Sequence, residues 1–95
     1  MDIEEVAKAL SSDTRLRILK ILADGEASAV HVYKMYNERF PERKERTTIY
    51  RELEVLYRSN FLVKLYRDES KEIVYRLAAR SINLDLIKQT ASAGP

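Results

Sequence analysis

The sequence predicts a mainly α chain with a small β-hairpin, on three observations. Apolar residues recur at helical spacing in four successive segments before residue 60. Two β-rich runs, FLVKLYR and EIVYRL, then flank the polar link Asp68-Glu69-Ser70-Lys71. The fourth helical segment also opens on polar and basic side chains, "RTTIYR", where a helix start exposes unpaired N–H groups. Three helices, a fourth with a polar basic start, and a hairpin are the order of a winged helix-turn-helix.

Each element follows in turn. Ile3, Val6, Ala7 and Leu10 fall at i, i+3, i+4 and i+7, so residues 2–11 should be an amphipathic helix. Ser12 or Asp13 can cap the next, whose apolar residues from Leu16 to Leu22 end at Asp24-Gly25. Ser28 can cap a third, with Val32, Tyr33, Tyr36 and Phe40 on one face and Pro41 as its stop. In the fourth, Ile49, Leu53 and Leu56 point to the core, which turns Thr47, Thr48, Tyr50, Arg51, Glu54 and Arg58 the other way. Ser59-Asn60 should end it. In the hairpin, Val63 and Leu65 on one run with Ile73, Tyr75 and Leu77 on the other should form the half-buried face. Residues 81–90 are expected to be a last short helix, and residues 91–95 a tail. The organisation expected is a winged-helix domain over residues 1–80 followed by a C-terminal element over 81–95.

Composition excludes several functions. At 95 residues the chain is one domain. It has no cysteine, hence no disulfide scaffold, thiolate metal site or cysteine nucleophile, and a single histidine, His31, which cannot build a metal site alone. Two glycines leave no Gly-rich phosphate loop, and no nucleophile elbow is present, so no enzyme is predicted. No apolar run approaches the roughly 20 residues of a membrane span, and the acidic start MDIEEVAKAL is unlike a signal peptide. A cytoplasmic protein with no membrane partner and no cofactor is expected.

The net charge is only +2, but its whole excess lies in residues 42–71, where the fourth helix and the hairpin fall. That placement points to nucleic acid. Thr47 and Thr48 offer hydroxyls and free N–H groups where a phosphate is favoured. Tyr50 and Arg51, one turn in, are long enough to reach base edges, Arg51 toward guanine and the Tyr50 ring toward a thymine methyl. Arg43, Lys44 and Arg46 in the preceding turn, and Arg67 and Lys71 at the hairpin, complete the candidate DNA-binding set. Each has a plainer reading. Arg43, Lys44 and Arg46 are diluted by Glu42 and Glu45, and Arg67 and Lys71 can simply deter edge pairing. Tyr33, Tyr36 and Tyr75 read as core.

Two stretches resemble known regulators. "LSSDTRLRILKILADG", residues 10–25, resembles the opening of arsenic-repressor-type (ArsR) regulators. "SAVHVYKMYNERFP…TTIYRELEVLYRSNFLVKLY…IVYRL", within residues 28–77, resembles the DNA-binding half of ferric-uptake-type regulators, whose recognition-helix Tyr and Arg fall on Tyr50 and Arg51. The resemblance implies binding to double-stranded DNA by a transcriptional repressor or similar regulator. It gives no support to metal sensing, because the sequence stops short of the His- and Glu-rich metal-binding domain and AVHVYKM lacks the cysteines of arsenic-type sensors. The rival reading is a winged helix that binds an acidic protein partner instead of DNA. A homodimer on a palindromic operator is expected, because the stripes Ile3-Val6-Leu10 and Leu84-Ile87-Ala91 leave apolar surface at both ends of the chain.

Overall fold

Apolar periodicity sets the first four helices, and local caps set their ends. The computed structural model describes residues 1–94. Helix α1 spans Ile3–Ala9, α2 Asp13–Leu22, α3 Ala29–Arg39 and α4 Arg46–Arg58. Asp2, Ser12 and Ser28 each accept a backbone N–H from the first turn of α1, α2 and α3, so three helices start on side-chain caps. Asp2 is thus a cap rather than the first helical residue, and α1 is shorter than its apolar spacing suggests. Gly25, at φ 148°, takes the chain out of α2 in a backbone region that disfavours side chains.

The end of α4 is a Schellman turn. Asn60 takes φ 66° and donates its N–H to Tyr57 O at 3.1 Å, while Phe61 N–H reaches Leu56 O at 2.9 Å. Phe61 and Leu56 are both buried, which supplies the apolar contact that accompanies this motif.

The core lies where α2, α3 and α4 cross. Ile18, Val32, Tyr36, Ile49, Leu53 and Leu56 are fully buried there. Strand β1, Ala27–Ser28, pairs with β3, Glu72–Leu77, which pairs with β2, Leu62–Arg67, in a three-stranded antiparallel sheet. The four-residue turn between β2 and β3 sets Leu62 opposite Leu77, Lys64 opposite Tyr75 and Tyr66 opposite Ile73. Side chains alternate between faces, so Val63 and Leu65 cannot share one with Ile73, Tyr75 and Leu77 as expected. Leu62 and Tyr75 are instead buried on one face and Val74 on the other, while Ile73 is exposed.

The last segment is a correction. Residues 81–90 are not helical: β4, Ser81–Asp85, and β5, Thr90–Gly94, form a second antiparallel hairpin. Ser81-Ile82-Asn83-Leu84-Asp85 alternates polar and apolar residues, and Thr90-Ala91-Ser92-Ala93 does so opposite it, which is the period of a strand. The Asp85 Oδ1 closes the turn by accepting the N–H groups of Ile87 and Lys88 at 3.1 and 2.9 Å. The i, i+3 spacing of Leu84 and Ile87 therefore spans a strand end and a turn, not a helix face. The expected tail is largely β5, with Pro95 outside the described residues. Among the described residues a three-stranded and a two-stranded sheet also make "mainly α with a small hairpin" too narrow a description. The apolar stripe of α1 turns largely inward: Val6 is buried in one cluster with Ala9 and Ala91, Leu10 packs against it and Ile3 is half-buried, while Ala7 is exposed. Asp2 bridges Thr90, and Ile3 N–H donates to Gln89 O at 3.2 Å.

Candidate nucleic-acid interface

The start of α4 lacks the side-chain cap that the other three helices have, and shares with α3 a first turn without an acid. Its N-cap, Glu45, makes no side-chain hydrogen bond to the helix, and no acid lies in the first turn. The amides of Arg46, Thr47 and Thr48 precede the first intrahelical bond, Ile49 N–H to Glu45 O at 3.1 Å. Orphan donors and the positive end of the helix dipole thus face outward together. Arg46 and Thr47 are exposed, Thr48 is half-buried, and the Arg51 side chain is exposed.

The turn into α4 is braced from α3. Asn37 accepts Lys44 N–H at 2.9 Å and donates to Lys44 O at 3.0 Å, clasping the backbone just ahead of the helix. The Arg46 guanidinium lies over the Tyr33 ring, 5.4 Å from its centroid, which anchors one candidate cation. Lys44 Nζ donates to Glu42 Oε1 at 2.6 Å, and that hydrogen bond holds the ammonium above its usual pKa and the Glu42 carboxyl below its own. Arg43 is exposed. Tyr50 departs from expectation: it is half-buried and packs against the core, leaving only part of it available to a ligand.

The wing candidates are differently placed. Arg67 pairs with Glu26, which leads into β1, and their hydrogen bond lowers the Glu26 pKa and raises that of Arg67. Lys71 sits exposed in the β2–β3 turn at φ 54°. Lys64 fixes the wing to α4: its Nζ donates to Glu54 Oε1 at 2.7 Å and lies 4.4 Å from the Tyr57 ring centroid. The bond to Glu54 raises the Lys64 pKa, while burial raises that of Tyr75 beside it.

Two charged residues were missed by the sequence reading. Glu52 is buried on α4, and its Oε2 accepts from Arg15 Nη1 at 2.7 Å. A signal was present, since Glu52 occupies the i+3 position of the Ile49, Leu53, Leu56 stripe. Its partner, 37 residues away, carried none.

The model of the ferric uptake regulator family matches residues 7–92. The chain belongs to the ferric uptake regulator family. Its fold is similar to that of an ArsR-like transcriptional regulator from Rhodococcus sp. RHA1, at 28% identity and a TM-score of 0.64, over 79% of this chain and 63% of that one. It is also similar to the ferric uptake regulator from Pseudomonas aeruginosa with manganese, at 22% identity and a TM-score of 0.64, over 97% of this chain and 73% of that one. The chain thus spans under two thirds of the length of the ArsR-like protein. No curated protein matches it. The winged helix-turn-helix regulator read from the sequence is borne out by this family member's assignment, and a regulator family is not an enzyme family.

The family's name raises the question of a metal. Among the described residues no three His, Cys, Asp or Glu side chains converge on a point that could hold an ion, and a resident metal does not fit them. Chelator treatment is therefore expected to leave the melting temperature unchanged. A fall of several degrees on removing zinc, iron or manganese would overturn that expectation. Among the described residues no helix is long and apolar enough to cross a membrane.

Proposed function

We propose that this chain binds double-stranded DNA in a sequence-specific way as a transcriptional regulator, with the N-terminal end of α4 in the major groove. The observation that carries the reading is the uncapped, acid-free first turn of α4 with Arg43, Arg46 and Arg51 around it. Phosphates suit the free amides and Thr47, while Arg51 has the length and fork to read guanine. Thr48 lies in this turn and Lys44 just ahead of it, and Arg67 and Lys71 would follow the backbone from the wing. Selection of bound sequences from random duplexes, then gel shifts at several salt concentrations, tests it. Affinity should fall log-linearly with salt. A partner captured with no such dependence would favour the protein-interaction reading.

Arg51→Ala should cost about 1–3 kcal/mol on the selected duplex and much less on random DNA, because base contacts carry specificity and phosphate contacts do not. Equal losses on both would reduce Arg51 to a phosphate contact. Tyr50→Phe should be milder than Tyr50→Ala if the ring meets a thymine methyl.

The reading includes a homodimer on a palindrome, with two recognition helices about 34 Å apart. Support comes from the second hairpin rather than from terminal helices. Leu84, Leu86 and Ile87 are 52, 69 and 95% exposed at its tip. Asp2 already lies beside β5, so β4 has the open edge of that sheet, where a second copy could add its own β4 about a twofold axis. Sedimentation should give a dimer, and Ile87→Asp or a chain ending at Arg80 should give a monomer with weakened DNA binding. A full chain monomeric at high micromolar concentration would leave a single winged helix on one half-site.

A further inference from the structure

The two stretches that resemble known regulators meet in space, and their meeting point lies beside the residue assigned to base reading. Arg15, from the "TRL" of α2, uses three nitrogens on three fixed acceptors. Its Nε donates to Ala9 O at 2.7 Å, its Nη2 to Lys8 O at 3.1 Å, and its Nη1 to Glu52 Oε2 at 2.7 Å. The guanidinium is thereby locked across the C-terminal end of α1, and it locks one oxygen of Glu52 in turn. The other oxygen, Oε1, lies 3.6 Å from Arg51 Nε. The Glu52 side chain is only 12% exposed, whereas that of Arg51 is 68% exposed.

We propose that Glu52 is a positioning residue for Arg51: its carboxylate, immobilised by Arg15, lies 3.6 Å from Arg51 Nε, a distance for charge attraction rather than a hydrogen bond, and so biases that edge of the guanidinium toward the protein while Nη1 and Nη2 stay free for a guanine edge. This rests on the reading of Arg51 as a base contact. An exposed arginine otherwise samples many rotamers and loses that freedom on docking, so restricting it beforehand favours the complex that needs one geometry. The same negative charge acts in the opposite sense on random DNA, where Arg51 would serve as a mobile cation among phosphates. Glu52 therefore separates specific from non-specific binding instead of strengthening both. A purely structural Glu52 has no such signature.

Glu52→Gln keeps the shape and an acceptor for Arg15 while removing the charge. Binding to the selected duplex and to random duplex is read by titration of the full chain, at a temperature where circular dichroism shows each variant folded. Glu52→Gln is expected to weaken selected-site binding about fivefold and to strengthen random binding about twofold, so that selectivity falls about tenfold. Glu52→Asp, which keeps the charge but draws the carboxylate back from Arg51, should weaken selected-site binding similarly without the gain on random DNA. In an Arg51→Ala background neither change should alter selectivity, since nothing remains to position. If Arg51→Ala lowers selectivity and Glu52→Gln in the native background leaves it within twofold, the positioning role is overturned. Equal weakening on both duplexes by Glu52→Gln also overturns it. If Arg51→Ala itself leaves selectivity intact, the base-contact reading fails first.

Discussion

Leu53→Ala is expected to lower the unfolding free energy by about 3 kcal/mol, within the roughly 2–5 kcal/mol span of buried leucine truncations. Leu53 is fully buried on α4, in one cluster with Ile18, Ile21, Tyr36, Ile49 and Leu56, which are themselves at most 1% exposed. These neighbours come from three helices fixed by their own caps and turns, so they have little freedom to close the cavity. A single domain of this size has an unfolding free energy of roughly 5–15 kcal/mol, and the loss takes a large share of it. The measurement is the urea midpoint, which should fall with an unchanged slope. A loss below about 1 kcal/mol would mean that the crossing of α2, α3 and α4 repacks freely, against the density of a native core.

Arg15→Ala should cost about 2–4 kcal/mol, far more than a surface ion pair. The Arg15 and Glu52 side chains are 15 and 12% exposed, so removing one leaves a carboxylate with little water to replace it. The carbonyls of Lys8 and Ala9 lose their donor as well. Arg39→Ala is the internal control. Its pair with Asp24 is as short, 2.8 Å, but the side chains are 40 and 64% exposed, and such pairs contribute about 0–1 kcal/mol. Equal losses in the two variants would show that the Arg15 site is solvated after all. Replacing both Arg15 and Glu52 by apolar residues of similar volume should recover much of the stability, because desolvating two charges costs nearly what their attraction returns.

Much of the molecule is legible in its sequence, for identifiable reasons. The three helices before residue 41 have apolar stripes at the helical period, and Ser12 and Ser28 stand where the second and third need caps, both local signals, whereas the Asp2 cap of the first was read as part of the helix. The Asn60 turn was readable because few residues other than glycine accept that backbone conformation. The second hairpin was misread because Leu84 and Ile87 happen to lie three apart. The alternation in Ser81-Ile82-Asn83-Leu84-Asp85 was the better signal, since it runs through every residue of β4. Its packing against α1 was not legible at all, as it joins the two ends of the sequence. At the candidate site, the polar start of α4 could be read directly, whereas the burial of Tyr50 and the Arg15–Glu52 pair depend on how α4 is rolled against α2. Strand β1 is only two residues long and exists because β3 offers it an edge.

The hairpin's seat also has a consequence for the order of events in folding. Ala91 N–H donates to Met1 O at 2.6 Å, and the Met1 ammonium donates back to Ala91 O at 2.9 Å across 90 residues of sequence. A contact that closes so long a loop is the slowest kind to form, whereas α4, β2 and β3 are joined by turns of a few residues. β5 is therefore expected to dock after the winged helix has condensed, and to open before the rest of the domain. Amide hydrogen exchange would record this as two clocks: the Ala91 proton leaves through a partial opening, while the Leu53 proton waits for the whole domain to unfold.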